Sequence, residues 1–126
     1  MTELSGHALK LTVIVGEDDV HLHQPVYTEL VIRAREAGLA GATVVRGVES
    51  YGRRSLVHTS RLVSLSTDLP VVITIVDEDA KIRAFLPTVT EVVKGGIVLL
   101  EDVAVVHYVG SPEPGDEAPA AGGPER

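Results

Sequence analysis

The order of its elements predicts an α+β fold: a ferredoxin-like βαββαβ sandwich, with two helices on one face of an antiparallel sheet. Three observations predict it. Four β-rich runs, near residues 9–15, 43–48, 69–76 and 97–109, alternate with two stretches of helical periodicity. Apolar content is 44% with only 3% aromatic, so the core is aliphatic. At 126 residues there is room for one domain.

Residues 1–8 are polar and are expected to form a flexible N-terminus, with the domain spanning 9–109. In the first strand Leu9, Leu11, Val13 and Val15 share one face by period-two spacing, and Lys10, Thr12 and Ile14 take the other. Gly16-Glu17-Asp18-Asp19 breaks the pattern. Pro25 suits the first turn of a helix, where its missing N–H is harmless. Val26, Leu30, Ala34 and Ala37 mark the buried face of that helix, Glu29 and Arg33 form an i,i+4 pair, and Gly38 is placed to end it in the left-handed region. Residues 43–48 and 69–76 read as strands, with Pro70 at a strand's first position.

Asp77-Glu78-Asp79 precedes the second helix and reads as an N-terminal cap. Ile82, Phe85, Leu86, Val89 and Val93 give that helix one apolar face, with a kink expected at Pro87 near its first turns. Lys94-Gly95-Gly96 stops it. The last strand region, 97–109, is interrupted by Glu101-Asp102, where a bend or bulge is expected. Residues 110–126 are Pro-, Gly- and Ala-rich and acidic, a composition that predicts a disordered tail. Both helices cover one sheet face, yet several strands are apolar on both sides. The uncovered face therefore implies a partner subunit.

Net charge is −7, which argues against general nucleic-acid binding. With no cysteine there is no disulfide or thiolate chemistry. No run of eighteen apolar residues is long enough to cross a membrane as a helix, and residues 1–7 lack the features of a signal peptide. A cytoplasmic protein is expected. Against the acidic background, Arg46, Arg53, Arg54 and Arg61 lie within sixteen residues with one acid, Glu49. A loop that gathers four of eleven basic residues is suited to an anion or an acidic partner.

Several motifs then stand together: residues 37–44 (AGLAGATV), Arg46-Gly47, Tyr51-Gly52, Ser66-x-Asp68-Leu69-Pro70-Val71-Val72-Ile73, Val76-Asp77, Gly96-Ile97-Val98 and Glu101-Asp102-Val103. As a set, over residues 9–108, they resemble the DUF190 family, a PII-like branch of the nitrogen regulatory PII superfamily. The resemblance implies a homotrimer with ligand clefts between subunits and a T-loop-like segment at 46–61. It also implies a regulatory or signalling role, sensing a small anionic effector such as an adenine nucleotide. Family members are often encoded beside fluoride-channel proteins, which implies a membrane transporter or channel as partner. Two departures from PII proteins stand out. Lys94-Gly95-Gly96 is a shortened form of their Gly- and Lys-rich turn, and His107-Tyr108-Val109 replaces the basic residues beyond their last strand.

The residues expected to bind the ligand are Arg46, Gly47, Lys94, Gly95 and Gly96; cations supply charge and glycines admit close backbone approach. Tyr51, Arg53, Arg54, His58 and Arg61 are expected to form a partner-binding loop. No cofactor, catalytic residue or metal ligand is expected. Ser55, His58 and Asp68 lack a nucleophile motif, and Glu101 and Asp102 alternate across a strand. The alternatives are a metal-binding trimer of the copper-tolerance type, with His21, His23, His58 and His107 as its soft donors, and a structural scaffold without a small ligand.

Overall fold

The computed structural model describes residue 4 and residues 6–51, 57–59 and 69–110. Arg53, Arg54, Ser55, Arg61, Asp68 and the tail from 111 onward lie outside the described residues. The elements in order are β1 (Gly6–Gly16), β2 (Val20–His21), β3 (Gln24–Pro25), α1 (Val26–Glu36), β4 (Thr43–Arg46), β5 (Glu49–Tyr51), β6 (Val57–Thr59), β7 (Pro70–Asp77), α2 (Asp79–Val92) and β8 (Ile97–Val105).

The main sheet is antiparallel throughout, in the order β4-β7-β1-β8. Its first and third long strands are central and its second and fourth are edges, the ferredoxin-like arrangement. The alternation expected for β1 holds. Leu9, Leu11, Val13 and Val15 are buried together with Val71, Ile73 and Ile75 of β7. Val26, Leu30 and Ala34 of α1 and Ile82, Phe85, Val89 and Val92 of α2 close over them. Burying each large side chain contributes about 1.5–3 kcal/mol, so this one aliphatic layer dominates the stability.

Several local expectations are corrected. β1 begins at Gly6 rather than Leu9, because Gly6, His7 and Ala8 continue the ladder against Val105, Ala104 and Val103; Leu4 is also buried. Pro25 is the N-cap of α1, not a first-turn residue. Ala37 is the exposed C-cap, beyond the buried face. Gly38, at φ 79°, then turns the chain: its amide donates to the Arg35 carbonyl and that of Leu39 to Ala34. This is a Schellman end, with Leu39 packed on the core.

α2 contains Pro87 as its ninth residue, well past its first turn, and buries Val92, with Val93 packed partly buried against the core beside it. Glu78, its N-cap, makes no side-chain cap bond. Asp77 faces inward instead. Fully buried, it accepts from the amides of Ala40 (2.8 Å) and Glu78 (2.7 Å), and so ties the end of β7 to the loop after α1.

No bulge interrupts β8. Glu101 stays opposite Lys10 and Asp102 opposite Leu9 in one continuous register. Because β8 is an edge strand, each acid keeps solvent and finds a cross-strand partner: Lys10 Nζ at 3.9 Å from Glu101, and His7 Nε2 at 3.2 Å from Asp102. The sheet face away from the helices carries Lys10, Thr12, Ile14, Val45, Val72, Thr74, Val76, Ile97 and Leu99. Neither helix packs on it, and Val45, Ile97 and Leu99 are exposed.

Candidate functional site

At one end of the sheet β1 and β4 finish and β7 and β8 begin. All five expected ligand residues lie there, on opposite edges. Arg46 and Gly47 end edge strand β4, while Lys94, Gly95 and Gly96 precede the other edge strand, β8. Two central strands separate the edges, a span of about 14 Å at the usual strand spacing. A single copy therefore does not bring the two sets together.

Each position has a definite local geometry. Arg46 Nη2 lies 2.7 Å from Glu17 Oε2. The Gly47 amide already donates to the Pro70 carbonyl (2.7 Å), and a Cβ at Gly47 would sit 2.7 Å from Pro70 Cγ. Glycine is required there for packing, which sets where Arg46 lies. Gly96, at φ 130°, presses its Cα against the Ile14 carbonyl where no Cβ fits. Gly95 and Lys94 line a cavity of about 170 Å3 with Asp19, Val20, Val26 and Val92. Asp19 shapes its floor: its carboxylate accepts from the Gly16 amide (2.9 Å) and its carbonyl from Val26 (2.9 Å).

A region that sequence reasoning did not single out lies at the other end of β4. A cavity of about 380 Å3 opens beside the small residues Ala40, Gly41 and Ala42. Thr43 and its cross-strand partner Thr74 line it, along with Val76, Val105, His107 and Tyr108. The buried Asp77 carboxylate fixes the Ala40 amide at its rim. The run of small residues was the available signal, but in sequence it reads as an ordinary helix-to-strand turn.

Tyr51 and His58 fall in the antiparallel β5–β6 pair, opposite Val57 and Ser50 respectively. The two short strands pair as in a hairpin, while the remainder of the segment expected at 46–61 lies partly outside the described residues. His21 and His23 belong to the β2–β3 hairpin, whose two turn residues Leu22 and His23 adopt φ 51° and 71°. Such left-handed conformations at non-glycine residues are held by their surroundings. Here Gln24 Nε2 donates to Glu29 Oε1 (2.8 Å), anchoring the hairpin to α1. Glu29 also pairs with Arg33 (2.7 Å), as the i,i+4 spacing predicts, and Arg33 reaches Glu91 of α2 (3.4 Å). Hydrogen bonds from Arg33 and Gln24 hold the Glu29 carboxyl below the usual glutamate range; the same pairing raises Arg33. Among the described residues no group of three or more His, Asp or Glu side chains could hold a metal ion. No helix among them is long and apolar enough to cross a membrane.

Residues 8–105 match the model of the DUF190 family, described as an uncharacterized ACR, COG1993. A UPF0166 protein of Aquifex aeolicus is 40% identical over 100 residues, covering 77% of this chain and 91% of its own length. A UPF0166 protein of Methanocaldococcus jannaschii is 31% identical over 96 residues, covering 75% and 88%. Among solved structures, the chain is similar to CPII from Thiomonas intermedia K12, a nitrogen regulatory PII-like protein bound to ADP, AMP and bicarbonate. There the TM-score is 0.54 at 20% identity, over 80% of this chain and 90% of that one. CutA1 from Oryza sativa gives a TM-score of 0.55 at 15% identity, over 83% and 85%. At these identities the two structures speak for the fold alone.

Proposed function

Because this chain belongs to the DUF190 family and has a PII-like fold, we propose that it is a regulatory binding protein that senses an adenine nucleotide or a similar anionic effector. One observation carries the reading. Edge strand β4 has a roomy cavity beside Thr43 at one end and the Arg46 guanidinium at the other. Thr43 and Arg46 alternate to opposite faces but share the free edge, about 10 Å apart along it, so a ligand lying on that edge with an uncharged ring at one end and a phosphate at the other can reach both. The ADP and AMP bound to CPII have that form.

The effector cleft lies between subunits of a homotrimer. Placing the β4 edge of one copy against the β8 edge of the next unites Arg46 and Gly47 with Lys94, Gly95 and Gly96. Three such head-to-tail contacts close into a ring when each copy is turned by a third of a circle, and with the open sheet faces turned inward the ring would cover Val45, Ile97 and Leu99. Segment 46–61, with Tyr51, Arg53, Arg54, His58 and Arg61, acts in the cytoplasm as the contact to a protein partner such as a transporter or channel. Its four arginines supply the charge for that contact.

Calorimetric titration with AMP, ADP, ATP and bicarbonate tests the reading, with Arg46→Ala and Lys94→Ala alongside. Micromolar binding by the wild type, weakened about tenfold or more in either variant, is the expected result for loss of a charge-assisted contact. Silence across the panel at millimolar ligand would sink it.

A further inference from the structure

The arginine that the proposed site depends on is already engaged within its own chain. Arg46 Nη2 lies 2.7 Å from Glu17 Oε2. We infer that Glu17 is an internal competitor for the anion site: its carboxylate holds Arg46 in the free protein, and the anionic group of a nucleoside diphosphate takes Arg46 from it. The inference rests on the reading of Arg46 as a ligand-binding residue and adds a determinant of affinity that this reading does not contain.

The two partners differ in a way that suits exchange. The Arg46 side chain is 61% exposed and Glu17 25% exposed. The cation can therefore swing out to meet a ligand, while the carboxylate stays where the backbone puts it. That backbone is pinned on both sides. The Glu17 amide donates to the Leu69 carbonyl (2.7 Å), and the Asp19 carboxylate accepts from the Gly16 amide (2.9 Å). Gly47 is pinned likewise, its amide donating to the Pro70 carbonyl (2.7 Å). The exchange is thus confined to one guanidinium moving between two anions. A solvent-exposed pair of this kind is weak, so a ligand anion carrying two charges can displace it; a neutral ligand gains nothing from doing so. The pair has to be broken before Arg46 is offered to the ligand, and affinity is lower than an unpaired arginine would give.

ADP titration of the intact protein decides the matter, with Glu17→Gln, Arg46→Ala and the Glu17→Gln/Arg46→Ala double variant. Glu17→Gln is expected to bind ADP about twofold to fivefold more tightly than the wild type, the range of an exposed ion pair. In the double variant the gain should vanish, leaving the affinity of Arg46→Ala alone, because Glu17 acts only through Arg46. Glu17→Ala, which lacks the amide, should gain at least as much as Glu17→Gln and guards against a new contact made by the glutamine. Wild-type binding with an equal or weaker Glu17→Gln would overturn this inference and leave the nucleotide reading standing. Failure of both wild type and Glu17→Gln to bind millimolar ADP would overturn the two together.

Discussion

Two carboxylates stand at opposite ends of the same sheet, and they do different work. Asp77, where β7 runs into α2, is fully buried and takes two backbone amides, from Ala40 and Glu78. Glu17, where β1 runs out, is a quarter exposed and takes one guanidinium, that of Arg46. A buried acceptor has no water to replace a lost donor, so its partners cannot be exchanged at low cost. A surface pair exchanges with solvent and ions throughout. The end built on Asp77 is consequently a fixed frame for the cavity beside Ala40, and the end built on Glu17 is where charge can be traded with a ligand.

The largest effect that would break this contrast concerns Asp77. Asp77→Ala removes the buried acceptor of two part-buried backbone amides and opens space at a packed corner, which should cost about 3 kcal/mol of stability. Asp77→Asn keeps one acceptor and should lose roughly half of that. Urea unfolding measures both. A loss under about 1 kcal/mol for Asp77→Ala would show that the corner is held by packing alone and that the contrast with Glu17 is false.

Glu29 lies between the extremes, part-buried and bonded to both Arg33 and Gln24. Those bonds lower its pKa in the folded state, Arg33 being the larger cause. A carboxyl with a depressed folded pKa adds stability that is present above its unfolded value, about 4.3, and lost as pH falls through the folded one. Arg33→Ala should therefore destabilise the protein at pH 7, and its gap from the wild type should narrow as pH drops below about 4. Thermal melts from pH 7 to pH 3 follow this gap. A gap that stays constant with pH would mean that Arg33 acts through packing between α1 and α2.

What could be foreseen from the residues follows the same division between local and distant. The alternation of Leu9, Leu11, Val13 and Val15 and the face Val26-Leu30-Ala34 were legible because periodicity over a few residues fixes which side is buried. Gly38 was legible for the same reason: a helix end is a local event. Asp77 was misread as part of a cap because the partner that gives it meaning, Ala40, is 37 positions away. Glu101-Asp102 looked like an interruption because two adjacent acids break an apolar run. On an edge strand, cross-strand partners and solvent satisfy them without any change of register. The hairpin turn at Leu22-His23 carried none of the Gly or Asn that left-handed turns usually require. For the site, residue type marked Arg46 and Lys94 as cations near glycines. Only the strand order shows that they stand on opposite edges.

The smallest expected effect is the one that sharpens the comparison most. Glu17→Ala removes the carboxylate from a pair whose other member is mostly in water. It should change stability by no more than about 1 kcal/mol in the urea experiment applied to Asp77, and by less still in high salt. The same substitution is expected to raise affinity for ADP. A residue that hardly touches stability yet moves ligand affinity is tuned to the bound state. A residue whose loss costs about 3 kcal/mol belongs to the frame. If Glu17→Ala instead destabilised the protein as much as Asp77→Ala, the Glu17–Arg46 pair would be a second structural clamp. The anion would then have to find its charge elsewhere, and among the described residues Lys94 stands at that end of the sheet to supply it.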